Sequence, residues 1–134
     1  MVLDFIKKNE LAVISYLSSE GRPSSAVIGF GETDNLELIF GTYADSRKYQ
    51  AIKKDGRVSF VIGWDEAITV QYEGLAEELS KSNYSEYTAA YFAKNPKARE
   101  YESDPREKYF RVTPLWVRYS EIKSNPWKII EFNF

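Results

Sequence analysis

The stretch that decides the fold is FGTYADSRKYQAIKKDGRVSF, residues 40–60. It begins with a strand pattern and then changes period, because apolar positions lie three to four residues apart between residues 45 and 55. Asp55-Gly56 supplies a helix stop, and strict alternation resumes over residues 57–64. The stretch therefore predicts a strand, a short helix and a second strand.

The start of this predicted helix carries side chains suited to an anion. A helix N-terminus presents unpaired N–H groups and a partial positive charge. Arg47 adds a planar donor fork, Lys48 a point charge, and Ser46 and Thr42 two hydroxyls. These four residues predict a phosphate site. In the alternative interpretation Asp45 caps the helix and the basic side chains are only solvated, which is the commoner situation for such spacing.

Outward from this stretch, the sequence predicts a mainly β fold, with residues 1–134 as one domain. Short helices are expected at the N-terminus and at residues 84–94, the second with a capping box of Asn83 and Glu86. Gly74 and Pro114 suggest a bulge or an edge position. Strands are predicted at residues 11–18, 24–32, 36–42, 57–64, 67–79, 108–122 and 126–134, the first three as an antiparallel meander.

Many short, evenly spaced strands favour a six- to seven-stranded antiparallel barrel over an open sheet. A barrel of this size fills its interior with side chains. We therefore expect any sizeable ligand to lie outside, in a groove beside a helix or a second subunit.

Composition excludes several kinds of chemistry. The 134 residues contain no cysteine and no histidine, so a disulfide framework, thiolate or imidazole catalysis and the usual zinc and haem ligands are excluded. A net charge of −2 without a clear basic stripe argues against a nucleic-acid partner. Charged residues precede any apolar segment of a signal peptide, and no apolar run reaches the about 20 residues of a membrane span. We therefore expect a cytoplasmic protein with no membrane partner.

Residues 11–80 resemble the pyridoxamine 5′-phosphate oxidase-like family, the FMN-binding split β-barrels. No single motif is specific, but the ordered series is fairly specific and covers about half of the chain. The motifs are LAVISYL at residues 11–17, Gly21-Arg22-Pro23, Phe40-Gly41-Thr42, Ser46-Arg47-Lys48, Ile52, Asp55-Gly56-Arg57-Val58-Ser59, Trp64 and Glu73-Gly74-Leu75-Ala76.

The resemblance implies a split barrel of Greek-key type with flanking short helices, forming a homodimer that holds two FMN molecules at the subunit interface. It implies that the 5′-phosphate and the nearby flavin edge lie against Phe40, Gly41, Thr42, Ser46, Arg47 and Lys48. It also implies that the backbone of Ser25, Ala26 and Val27 meets the flavin ring, and that Thr69 and Gln71 approach from the partner subunit. An ordinary solvated strand face is the alternative for the last two residues.

The implied function is flavin-mediated hydride or electron transfer to an unidentified small-molecule substrate, with the chemistry supplied by FMN. The chain departs from the namesake oxidases, because its second strand lacks their basic residues and it has no C-terminal histidine motif. We therefore do not expect oxidation of pyridoxamine phosphate. No catalytic side chain stands out, and Trp64 is expected in the core or the dimer interface, with Trp116 and Trp127 left open.

Two other functions remain open from the sequence. The first is a non-catalytic binding protein, a carrier or stress sensor that holds a flavin, a deazaflavin or another phosphorylated ligand. The second is a small barrel that binds single-stranded nucleic acid through exposed aromatic and basic residues.

Overall fold

A computed structural model describes all 134 residues and shows eight strands and three α-helices. A 3₁₀ segment, Pro96–Tyr101, follows the third helix. The helices are α1 (Val2–Lys8), α2 (Arg47–Lys54) and α3 (Tyr84–Lys94). The strands are β1 (Leu11–Leu17), β2 (Pro23–Gly29), β3 (Gly31–Glu32), β4 (Leu38–Tyr43), β5 (Arg57–Ile62), β6 (Ile68–Glu78), β7 (Glu107–Glu121) and β8 (Lys128–Asn133).

All strands pair antiparallel in the order β2-β1-β5-β6-β7-β4-β3, and β8 pairs with β7 outside this order. Only Phe30 separates β2 from β3, so the strands at the two ends of the order are consecutive along the chain. The first half of the long β7 pairs with β4, and its second half pairs with β8. The prediction of a mainly β antiparallel split barrel with short flanking helices is confirmed.

The predicted meander of the first three strands is only partly correct. β1 and β2 pair along their whole length, but β4 pairs with β7 over six residues and meets the second strand only through the two-residue β3. The chain bends at Phe30, whose side chain is fully buried in the core. A Cβ on Gly31 would lie 2.7 Å from the Tyr91 Cα of α3, so glycine lets this helix pack against the bend. The predicted strand at residues 24–32 is therefore two strands.

Aromatic side chains fill the barrel interior. Phe40 stacks on Phe110 with ring centroids 5.2 Å apart, and Phe60 meets Tyr72 edge-to-face at 5.5 Å. The Tyr72 hydroxyl donates to the Leu36 carbonyl oxygen at 2.7 Å, so its polar end is satisfied inside the core. The filled interior leaves the outer surface for a ligand, as the strand count indicated.

The predicted irregularity in the sheet is confirmed as a β-bulge between β6 and β7. Glu73 pairs with Trp116 and Gly74 pairs with Pro114, so Leu115 is the extra residue. A Cβ on Gly74 would lie 2.6 Å from the Thr113 carbonyl oxygen, which explains the glycine.

The predicted capping box of α3 is wrong. The Asn83 side chain makes no bond to the first turn of the helix, although Asn83 occupies the cap position. Its Oδ1 instead accepts from the Ser80 backbone N–H at 2.8 Å and stabilises the preceding turn. No helix of the chain is both long and apolar enough to cross a membrane.

Candidate functional site

Ser46 organises the start of α2. Its Oγ accepts from the Tyr49 backbone N–H at 3.0 Å and lies 3.0 Å from the Thr42 Oγ1. The two hydroxyls carry two protons, and their mutual hydrogen bond uses one. Because Ser46 only accepts from Tyr49, one hydroxyl proton remains available to a ligand.

The first turn of α2 also has free backbone donors. The N–H groups of Arg47 and Lys48 have no acceptor in the protein, as expected for the first residues of a helix. Ser46 is extended, with φ −81° and ψ 155°, and ends the preceding loop at the helix start. Two amides and one hydroxyl can thus donate to an anion bound there.

Asp45 does not cap the helix, so that part of the alternative interpretation is wrong. Ser46 holds the cap position, and an Asp45 carboxylate oxygen lies 3.7 Å from the Arg106 guanidinium. This partner offsets some of the negative charge of Asp45 next to the helix start. The side chain is exposed, so the pairing is weak.

The structure does not place Arg47 and Lys48 in the same surroundings. Arg47 is exposed and borders a groove of about 300 Å³ between the start of α2 and the β1–β2 turn. Lys48 is half-buried outside the lining of this groove, and burial lowers its pKa, an effect that the negative charge of Glu107 partly offsets. We call this first groove the helix groove; its lining is Tyr16, Ser18, Ser19, Glu20, Asp45, Ser46, Arg47 and Gln50.

A second groove, of about 350 Å³, lies on the outer face of the sheet. Tyr16 borders both grooves, so they meet at the end of β1. Ser15 and Ser59 line the second groove from neighbouring strands, and the predicted alternation over residues 57–64 places Ser59 off the core. Sequence reasoning missed Tyr16, because its position in β1 reads as an ordinary core-facing aromatic. We call this second groove the sheet groove; its lining is Ser15, Tyr16, Leu17, Pro23, Arg57, Val58, Ser59, Glu73, Gly74 and Leu115.

β2 forms the edge of the sheet next to the sheet groove. Ser25 and Val27 are exposed, whereas Ala26 is half-buried against the core. The Ser25 Oγ lies 3.0 Å from the Ser15 Oγ. Because β2 pairs only with β1, its outer edge offers unpaired N–H and C=O groups. A planar ligand with polar edges can bond to such a strand without using any side chain.

Phe40 and Gly41 offer no side chain to a ligand. The Phe40 ring has no exposed surface, so only its backbone could take part. A Cβ on Gly41 would lie 2.5 Å from a Glu107 carboxylate oxygen and 3.1 Å from the Tyr109 ring. Packing inside this chain therefore accounts for both residue types.

Thr69 and Gln71 lie on β6 and line neither groove. Gln71 is exposed and pairs in register with Val61 and Arg118, away from the start of α2. A single chain therefore does not bring these two residues to the helix groove.

The outer face that carries Gln71 is partly apolar. Val27, Val13 and Val61 follow one another across three neighbouring strands, and Val27 and Val61 are 61% and 38% exposed. Trp116 is half-buried on the same face next to Glu73, whereas Trp64 and Trp127 are 54% and 63% exposed. Of the two places expected for Trp64, the core is excluded, because its side chain lies in the exposed β5–β6 loop, and the dimer interface stays a prediction.

Comparison with known protein families gives one match, to the family described as pyridoxamine 5′-phosphate oxidase, over residues 2–121. The chain belongs to the pyridoxamine 5′-phosphate oxidase family. The match extends well beyond the motifs at residues 11–80 and includes α3 and β7. Among curated protein sequences, none matches this chain.

Solved structures share the fold of this pyridoxamine 5′-phosphate oxidase family member at low sequence identity. A haem-binding protein from Mycobacterium smegmatis has a TM-score of 0.83 at 15% identity, over 96% of this chain and 55% of its own. This chain thus spans little more than half the length of that protein. General Stress Protein 26 from Bacillus anthracis has a TM-score of 0.74 at 19% identity, over 98% of this chain and 95% of its own. A pyridoxamine 5′-phosphate oxidase-related, FMN-binding protein from Nostoc punctiforme has a TM-score of 0.67 at 14% identity, over 93% and 87%.

Proposed function

We propose that this protein binds FMN as a homodimer and acts as a flavin-dependent oxidoreductase on a small-molecule substrate. The observation that carries the proposal is the set of unused donors at the start of α2, beside the exposed Arg47 guanidinium. A phosphate monoester is a ligand that such a set of amides, hydroxyl and guanidinium binds well.

In this proposal the FMN phosphate lies at the helix groove, held by the amides of Arg47 and Lys48, the Arg47 side chain and the free hydroxyl proton of the Thr42–Ser46 pair. Lys48 is half-buried and contributes positive charge near the phosphate. The flavin ring extends along the sheet groove and meets the unpaired edge of β2 at Ser25, Ala26 and Val27. FMN would supply hydride or electron transfer, while the chain binds and orients it.

A second copy of the chain completes the proposed site. Thr69 and Gln71 lie away from the helix groove of their own chain, so they would reach FMN only from a partner. The exposed valines of β2 and β5 give the outer face apolar surface that a partner subunit would bury.

We infer that FMN is a better candidate for the cofactor than haem, and that pyridoxamine phosphate is not the substrate. One structural neighbour is a haem-binding protein, but none of the 134 residues here is a histidine or cysteine, the usual axial ligands. No basic side chain lies on β2, where the namesake oxidases of the family carry basic residues. The substrate is therefore expected to differ from pyridoxamine phosphate.

The test measures the affinities of the protein for FMN and for riboflavin, which lacks the phosphate. Quenching of flavin fluorescence reports binding of both ligands. Wild type should bind FMN more tightly than riboflavin. Replacing Arg47 and Lys48 together by alanine should weaken FMN binding by at least about tenfold, equivalent to about 1.4 kcal/mol. Riboflavin binding should change little in this variant, because riboflavin has no phosphate for these two residues to bind.

The matched control is Lys7→Ala with Lys8→Ala, which removes the same two charges at the exposed end of α1. This variant should bind FMN like wild type. Equal FMN affinity in wild type and in the Arg47/Lys48 variant would contradict the phosphate site. A yellow protein whose flavin is not reduced by a nicotinamide nucleotide would favour the alternative, a non-catalytic carrier or stress sensor.

A further inference from the structure

We propose that Tyr49 is a positioning residue for the phosphate site, acting through a hydrogen bond to Glu78 at the end of β6. The inference rests on the proposed function and adds a residue that does not itself touch the ligand. Tyr49 directly follows Lys48 in the first turn of α2.

Tyr49 is bonded at both of its ends. Its backbone N–H donates to the Ser46 Oγ at 3.0 Å, and its phenol hydroxyl donates to a Glu78 carboxylate oxygen at 2.6 Å. The Lys53 ammonium lies 3.3 Å from the same oxygen and supplies a counter-charge from the next turn of α2. The Tyr49 ring meets Phe110 of the core edge-to-face at 5.7 Å.

These contacts fix how the first turn of α2 is rotated about its axis. The backbone bond ties Tyr49 to the cap, and the side-chain bond ties it to the barrel, 29 positions along the chain. A helix of eight residues has little stability of its own, so its orientation depends on such tertiary contacts. The free amides of Arg47 and Lys48 can converge on one phosphate only if this turn is held in place.

The hydrogen bond, rather than the ring, carries this inference. Phenylalanine at position 49 would keep the packing on Phe110 and remove only the bond to Glu78. Tyr84 provides a matched control, because its hydroxyl donates to Glu102 at 2.9 Å from the first turn of α3, outside both grooves.

The experiment measures the dissociation constants of FMN and riboflavin for full-length wild type, Tyr49→Phe, Glu78→Ala, the double variant and Tyr84→Phe. Tyr49→Phe and Glu78→Ala should each weaken FMN binding about fivefold, about 1 kcal/mol. Riboflavin binding should stay unchanged in both. The double variant should be no weaker than either single variant, because both remove the same bond. Tyr84→Phe should bind FMN like wild type.

The inference is overturned if Tyr49→Phe binds FMN as tightly as wild type, or if FMN and riboflavin weaken to the same extent. It is also overturned if the two single effects add in the double variant. Failure of wild type to bind FMN would instead overturn the proposed function, and this inference with it. If Tyr49→Phe does not fold, Glu78→Ala provides the comparison by itself, because it removes the acceptor of the same bond and leaves Tyr49 in place.

Discussion

Replacing Lys94 with methionine should destabilise the protein strongly, because Lys94 joins three elements at one buried point. Its ammonium lies 2.8 Å from a Glu32 carboxylate oxygen of β3 and 3.1 Å from the Ile6 carbonyl oxygen of α1. It also lies 3.7 Å above the centroid of the Phe30 ring. The side chains of Lys94 and Glu32 are only 11% and 6% exposed.

Breaking a buried ion pair from one side costs about 3–5 kcal/mol, because the remaining charge is left without a partner. Methionine keeps most of the volume of lysine, so we expect about 3 kcal/mol for Lys94→Met. Adding Glu32→Gln should restore a large part of this loss, since no charge is then left buried. The exposed pair of Lys7 and Asp34, 3.4 Å apart, should contribute no more than about 1 kcal/mol.

Urea unfolding at neutral pH gives the free energies for wild type, Lys94→Met, Glu32→Gln and the double variant. Lys7→Met serves as the control, with the same chemical change at a surface pair. A loss below about 1 kcal/mol for Lys94→Met would refute the reasoning, because it would mean that water screens the pair as it does on the surface. Strict additivity in the double variant would refute it as well.

Two further predictions concern the proposed dimer interface and the hydrogen bond between Tyr49 of α2 and Glu78. In the proposed dimer, Val61→Glu should weaken association by at least about tenfold, because it places a charge in the apolar outer face. Sedimentation at several protein concentrations would measure this change, and an unchanged dimer would exclude this face from the interface. The hydrogen bond to Glu78 raises the pKa of Tyr49 from 10.0 to about 12, so it stabilises the fold fully below pH 10 and is lost as pH rises through about 12. The advantage of wild type over Tyr49→Phe in the free energy of unfolding should therefore shrink over that range, and a constant difference up to pH 12 would contradict this assignment.

The sequence predicted the features of the fold that depend on local patterns. The alternation of Val58, Phe60 and Ile62 marked the core face of β5, and the Asp55-Gly56 signal marked the end of α2. Pairing of β4 with β7 joins residues about 70 positions apart and has no local signal, so the predicted meander failed there. The cap of α2 was ambiguous for a related reason. Asp45 and Ser46 are both good capping residues, and only the path of the loop from β4 selects Ser46.

The same limit explains which site residues the sequence could and could not assign. The sequence could place Ser46, Arg47 and Lys48 together because a helix start is a local feature, and their role in phosphate binding stays a prediction. Tyr16 and Glu78 were missed because their roles depend on which distant element packs against them. Phe40 and Gly41 matched the family motif, yet Phe110, Glu107 and Tyr109 already account for their side-chain environment. A motif residue can therefore serve the architecture that positions a site without offering its own side chain to the ligand.

The proposed site also links ligand binding to assembly. The donors at the start of α2 and the polar residues Thr69 and Gln71 lie on separate parts of the surface, so a site that uses both needs two copies of the chain. A ligand that binds only the assembled pair stabilises it by a free energy that grows with the logarithm of the ligand concentration divided by its dissociation constant. Substitutions at Val61 should therefore weaken FMN binding although they touch no phosphate donor, whereas substitutions at Arg47 should leave the proposed dimer intact. Weaker FMN binding in Val61 variants would indicate a site shared between two subunits, whereas a site that a single chain completes would bind FMN as before.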